Sequence, residues 1–196
     1  MKDKIEKLSM TTLDSLSIEA VDKAIKPIFK YWLFKSKTSW LWYRWKDKKY
    51  RKKLNKVRDA FKNGKTTFYE TLGIIQKRME WKADSIKKGG DIIELPETAW
   101  RRRKCDCEGF ARLMHYIFGN EVTLGGTKYF LDGYRILFGK GSHVVLVYKN
   151  GLEFLVFSNE SVDDYNLDEW NKYMSKYGKY EAYLDKNMKY KKVIRH

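Results

Sequence analysis

The dipeptide Asn150-Gly151 separates two apolar runs, HVVLVY at residues 143–148 and LEFLVF at 152–157. Asn-Gly between strand-forming runs is a strong short-range hairpin signal, so this part of the chain is committed to antiparallel pairing. A further run of β-branched and aromatic residues at 128–137 precedes the hairpin, and shorter ones at 180–183 and 191–194 follow it. Upstream, Cys107, Phe110, Ala111, Met114 and Phe118 recur at i, i+3, i+4, i+7 and i+11, the spacing of one helix face. Residues 166–177 carry another short helical pattern. The back half reads as α+β, a helix packed on an antiparallel sheet.

The front half follows a different period. Leu13, Leu16, Ile18, Val21, Ile25 and Ile28 are spaced as a helix across residues 11–33, with Pro27 expected to kink or restart it. Residues 36–39 predict a break with an N-cap at Thr38 or Ser39, followed by a long basic helix stopped by Asn63-Gly64. A cap at Thr66 or Thr67 predicts a third helix running to about Lys88 and ended by Gly89-Gly90. Residues 91–104 predict a loop with a short extended piece. Two regions result: a basic, aromatic-rich helical region at 1–90 and an α+β core at 91–196.

Charge divides the chain at the same place. Of a net +16, residues 1–90 contribute 24 Lys/Arg against 10 Asp/Glu, and residues 91–196 contribute 17 against 15. A 43% hydrophobic, 16% aromatic chain with two prolines is neither disordered nor fibrous. The first ten residues carry both signs of charge, so no signal peptide is expected, which leaves a cytoplasmic or virion-associated setting. The most apolar stretch, residues 28–45, is interrupted by Lys30, Lys35, Lys37 and Arg44, which excludes an ordinary transmembrane span. The two cysteines, Cys105 and Cys107, are too close in sequence to bridge and read as free thiols. With His143 they lack zinc-ligand spacing, so no metal site is expected.

Cys107 opens an apolar helix, where the helix dipole and unpaired N–H groups favour thiolate. A nucleophilic thiol also needs a base, and the chain has three histidines. His115 lies eight residues along the same helix, about 12 Å away and out of reach. His196 is the last residue given and is expected to fray. His143, at the start of a strand, remains. A two-residue turn at Asn150-Gly151 sets Ser158 opposite His143, whereas one extra residue sets Asn159 there. Either could orient the imidazole, Asn159 through its amide oxygen.

These residues also carry a family likeness. Leu95-Pro96-Glu97-Thr98 followed by Cys105-Asp106-Cys107-Glu108-Gly109-Phe110-Ala111 resembles the segment leading into the nucleophile helix of transglutaminase-like cysteine peptidases. Bacterial members typically show Pro-Glu-Thr and then Gly-Asp-Cys-Glu-Asp-Phe-Ala. Residues 142–148 and Phe157-Ser158-Asn159 are similar to that family's histidine strand and its terminal acid, usually an Asp about sixteen residues after the His. The resemblance spans residues 80–160 and implies a papain-like fold, with Cys107 as nucleophile, His143 as base and Asn159 as orienter. It implies a hydrolase acting on protein or peptide through a thioester. Some bacterial relatives bind calcium beside the cysteine, which would involve Asp106 and Glu108 here, although Gly109 replaces a common Asp. The sequence Asp-Cys-Glu-Gly-Phe is also similar to the helix start of certain bacterial cell-wall peptidases, which implies peptidoglycan peptides among the substrates.

The front half suggests other roles. Trp40, Trp42, Tyr43 and Trp45 lie beside Lys46, Lys48, Lys49, Arg51, Lys52 and Lys53, a composition suited to stacking on bases and neutralising phosphates. Tryptophans two residues apart do not share a helix face, which argues against a membrane-surface helix. The alternatives to a hydrolase are therefore a catalytically silent transglutaminase-like structural or virion protein, as in a phage particle, and a nucleic-acid-binding protein.

Overall fold

The computed structural model describes residues 16–83, 93–139 and 142–196. Among these, six helices and nine strands form an α+β fold. In chain order they are α1 (Ile18–Lys46), α2 (Lys48–Lys62), α3 (Phe68–Arg78), β1 (Glu80–Trp81), α4 (Pro96–Arg102), β2 (Lys104–Cys105) and α5 (Cys107–Phe118). There follow β3 (Glu121–Leu124), β4 (Thr127–Gly139), β5 (Ser142–Asn150), β6 (Glu153–Ser158), β7 (Ser161–Tyr165), α6 (Leu167–Tyr177), β8 (Gly178–Leu184) and β9 (Tyr190–Arg195). The main sheet is antiparallel in the order β7-β6-β5-β4-β8-β9, with β3 paired to β4. A short parallel pair, β1 with β2, lies apart from it.

The strand alternation sorts the sheet into two faces. Ile136, Phe138, Val144, Leu146, Tyr148, Leu155 and Phe157 join the larger core, together with Phe110, Met114 and Ile117 of α5. Leu137, Val145, Val147, Phe154 and Val156 face the other way, onto Trp170 and Met174 of α6. Strands β5 and β6 are thus buried on both sides, which is why they read as nearly continuous apolar runs. The helical front half contributes to the larger core as well: Val21, Ile25, Phe29 and Trp32 of α1, Leu54 of α2, and Phe68, Leu72 and Ile75 of α3. The change in composition near residue 90 does not divide that core.

Several boundaries differ from the sequence expectation. Helix α1 is capped by Ser17, whose hydroxyl accepts from Ala20 N, and it continues through Pro27 without stopping at residues 36–39. Of the two expected caps, Thr38 is used otherwise, its Oγ1 donating back to Lys35 O, while nearby Ser36 Oγ accepts from Ile93 N. The chain breaks instead at Asp47, whose buried carboxylate accepts from Thr98 Oγ1 and Arg101 Nε, each at 2.6 Å. Helix α3, opened by a capping box at Thr67 and Glu70, ends at Arg78 rather than near Lys88, and Gly89-Gly90 lies outside the described residues. The expected loop before Cys105 contains α4, with Pro96 at its first turn, where a missing N–H costs nothing.

The hairpin is also shifted. Asn150 pairs with Glu153, so the turn residues are Gly151 and Leu152, with Gly151 at φ 58°. Glycine adopts this left-handed conformation without the Cβ clash that Asn150 would bear, and Asn150 remains in the strand.

Candidate active site

Helix α5 begins where Asp106 accepts from Gly109 N through Oδ1 at 3.1 Å, which leaves Cys107 as the first helical residue. Gly109 is needed for packing: a Cβ there would lie 2.5 Å from Cys105 Cβ. Neither cysteine is in a disulfide, and both are buried. The Cys107 thiol donates to Glu108 Oε2 at 3.2 Å, while the backbone N–H of Val144 is directed at its sulfur. The start of the histidine strand therefore lies against the thiol.

The electrostatics run opposite to the sequence expectation. Burial pushes the Cys107 thiol well above its ordinary range, and the neighbouring Glu108 and Asp106 carboxylates push it further. The Val144 N–H acts the other way and is outweighed. The helix start does not yield a thiolate at rest; the sulfur holds its proton and shares it with Glu108.

His143 lies directly across from Leu137 on β4, so its side chain leaves the sheet on the α6 face, whereas Cys107 packs on the α5 face. Its Nε2 is 2.9 Å from Ser158 Oγ, which also accepts from Tyr173 OH at 3.2 Å. Extending the β5–β6 ladder by one step sets Ser158 beside Val145, on the face that His143 shares. Asn159 is the first residue of the β6–β7 turn, at φ 52°, and its buried Oδ1 has no hydrogen-bond partner among the described residues. The structure thus brings His143 to Ser158, and Cys107 to the backbone of Val144.

The other titratable residues singled out from sequence have defined places. His115 Nδ1 lies 2.6 Å from Tyr134 OH, away from the thiol. His196 does not fray: its Nε2 is 2.8 Å from Glu181 Oε2 and its backbone N–H donates to Lys179 O. Asp106 and Glu108, the acids that calcium would require, are committed to Gly109 N–H and to the thiol. Among the described residues, no group of three or more His, Cys, Asp and Glu is placed to hold a metal. Two participants escaped the sequence reading. Glu108 was visible beside the cysteine but not as the acceptor of its proton. Tyr173 reaches Ser158 from α6 and carries no local signal.

On α1 the aromatic residues separate. Trp40 turns inward, its Nε1 donating to Ile93 O at 2.7 Å. Tyr31, Phe34, Leu41, Trp42 and Trp45 face outward, with Trp45 82% exposed and Leu41 77%. These outward positions follow one helical stripe, so alternate tryptophans do not prevent a continuous apolar face. Lys46, Lys48, Lys49, Lys52 and Lys53 are exposed nearby, but Arg51 is drawn to the buried Glu97, with Nε to Oε1 at 2.9 Å. Among the described residues, no helix is long and apolar enough to cross a membrane. Compared with known proteins, the chain matches no family model, no curated protein and no solved structure.

Proposed function

We propose that this chain is a cysteine hydrolase, a peptidase or amidase, built on a papain-like, transglutaminase-like core with Cys107 as nucleophile and His143 as base. The observation that carries the reading is the Val144 N–H directed at the Cys107 sulfur, because it sets the nucleophile helix against the first residues of the histidine strand. Ser158 Oγ has lone pairs enough to accept from both Tyr173 OH and His143 Nε2–H, a tautomer that leaves Nδ1 as the basic nitrogen. Ser158 is then the orienting residue, in the place first considered for Asn159.

In this mechanism the first residues of β5 rearrange to carry His143 from the α6 face to the thiol, where Nδ1 replaces Glu108 as the acceptor of the sulfhydryl proton. The proton moves from sulfur to nitrogen, and the thiolate forms a C–S bond with an amide carbonyl. The C–N bond breaks as the imidazolium protonates the leaving amine. Water then gives a proton to His143 and cleaves the thioester, returning the free thiol and a carboxylic acid. The Cys107 backbone N–H, at the helix start, is suited to the developing oxyanion. The test is hydrolysis of peptide and peptidoglycan-peptide libraries by the wild type and by Cys107→Ala, Cys105→Ala and His143→Ala. Activity lost in Cys107→Ala and His143→Ala but kept in Cys105→Ala supports the reading. No turnover by wild type, or turnover surviving Cys107→Ala, sinks it and leaves a silent structural module.

A second reading rests on α1. Its exposed stripe of Phe34, Leu41, Trp42 and Trp45, bordered by lysines, suits single-stranded nucleic acid, with Lys46 Nζ already 4.9 Å above the Trp42 ring. Binding that weakens steeply with salt and falls in Trp42→Ala and Trp45→Ala would favour it. Salt-independent or absent binding would remove it.

A further inference from the structure

A cavity of about 380 Å³ lies on the far part of α5 from Cys107, between α1, α5, β4 and the β8–β9 turn. Its walls include Arg112, His115, Trp40, Tyr134, Lys37 and Lys186, and no Asp or Glu lines it. Arg112 is the unusual member. Its guanidinium makes no hydrogen bond or ion pair among the described residues, and its Nη1 is buried without a partner. Arginine keeps its charge in proteins, so this is a partly desolvated cation without an anion. Among the described residues, the carboxylate that acts on it, Glu97, is engaged by Arg51. Asp185, near the cavity rim in sequence, is taken by Lys191 and by the amides of Asn187 and Lys189.

The surroundings hold the guanidinium in place rather than neutralise it. It stacks 4.1 Å from the centre of the Trp40 ring, and Trp40 is itself fixed by its bond to Ile93 O. His115 adds no negative charge: burial lowers its pKa, so the ring is neutral near pH 7, hydrogen-bonded to Tyr134 OH. Lys37 and Lys186 are exposed at the opening. Leu33 and Met188 supply apolar wall. A fixed planar fork at the back, loose ammonium groups at the mouth and an apolar side together match a small organic anion.

We propose that this cavity binds the phosphate or carboxylate group of a small organic molecule, with Arg112 as its principal contact. Both anions offer paired oxygens to a guanidinium, and the organic part would lie against Leu33 and Met188. The site is independent of the thiol reading, since it shares no residue with it.

The test is calorimetric titration of the full chain with phenyl phosphate, benzoate and inorganic phosphate at low salt, comparing wild type, Arg112→Gln and, as a control at an exposed lysine away from the cavity, Lys65→Ala. Saturable 1:1 binding, weakened about tenfold or more in Arg112→Gln and unchanged in Lys65→Ala, is expected. Preference for phenyl phosphate over benzoate assigns a phosphate ester, the reverse a carboxylate, and phenyl phosphate no better than inorganic phosphate removes the role of the apolar wall. If Arg112→Gln does not fold, Lys37→Ala and Lys186→Ala replace it, each expected to weaken binding about threefold. No saturable binding of any probe up to about 10 mM overturns the proposal, as does equal binding by a folded Arg112→Gln.

Discussion

The two faces of the sheet carry unequal loads. On one, residues from five helices and from the sheet close a core that includes the fully buried Phe110, Leu113, Ile117 and Leu146. On the other, a single helix, α6, covers a smaller cluster around Trp170 and Met174. The proposed nucleophile is fixed to the heavily packed face and the proposed base to the lightly packed one. A thiol set in a dense core is positioned well, but the same burial suppresses its ionisation. The histidine at the start of β5 has Nε2 2.9 Å from Ser158 Oγ, on the face that α6 alone covers. The difference gives the sulfur a fixed, charge-suppressing place and sets the imidazole among polar groups on the thinner face.

The comparison is most sharply tested by equal truncations on both faces. Phe110→Ala should destabilise by about 4–5 kcal/mol and Phe154→Ala by about 3 kcal/mol, read from denaturant midpoints at constant m-value. Phe110 is completely buried in the larger core, whereas Phe154, 6% exposed, loses mainly its stack on Trp170. Equal costs would mean that α6 is as firmly seated as α5.

Gly109→Ala comes next, at about 1–3 kcal/mol. The new Cβ would meet the Cβ of Cys105 at 2.5 Å, so Cys105→Gly in the same chain should restore most of the loss. Failure of that rescue would place the strain elsewhere in the first turn of α5.

How far these features can be read from sequence depends on whether their causes are local. Helix α5, β4, β5 and β6 were legible because each presents a repeating apolar face, set by neighbours in sequence. The α1–α2 boundary was not. Asp47 makes the break by accepting from Thr98 and Arg101, about fifty residues away, while Thr38 looks like a cap but donates back to Lys35 O within the helix. The hairpin was visible, but its register turned on which residue takes positive φ, and that displaced His143 from the partner expected across the sheet. Cys107 was placed at its helix start correctly. Its ionisation was not, because the dipole is a local feature and burial under β5 is a tertiary one.

Ser158→Ala tests the lighter face at about 1 kcal/mol, since it removes the hydroxyl shared by His143 Nε2 and Tyr173 OH. If the proposed mechanism holds, turnover should fall by more than stability, and Asn159→Ala should spare it. A larger loss of turnover in Asn159→Ala than in Ser158→Ala would return the orienting role to Asn159.

The smallest effect separates the faces by pH. Because the folded state raises the Cys107 pKa, the unfolded chain releases its thiol proton first, and stability is full below the ordinary thiol range and falls above it. For one thiol of ordinary pKa near 8.5 in the unfolded chain, the loss at pH 9 is about 0.8 kcal/mol. Cys107→Ala should flatten this alkaline fall in wild-type denaturation curves, whereas Ser158→Ala should leave it unchanged. His115 gives the opposite sign. Its pKa is lowered by burial, so its contribution is present above about pH 6.5 and is lost as pH falls. An alkaline fall as steep in Cys107→Ala as in wild type would mean that Cys107 contributes none of it, its thiol ionising as readily in the folded chain as in the unfolded one, and the packed face would then offer a ready nucleophile.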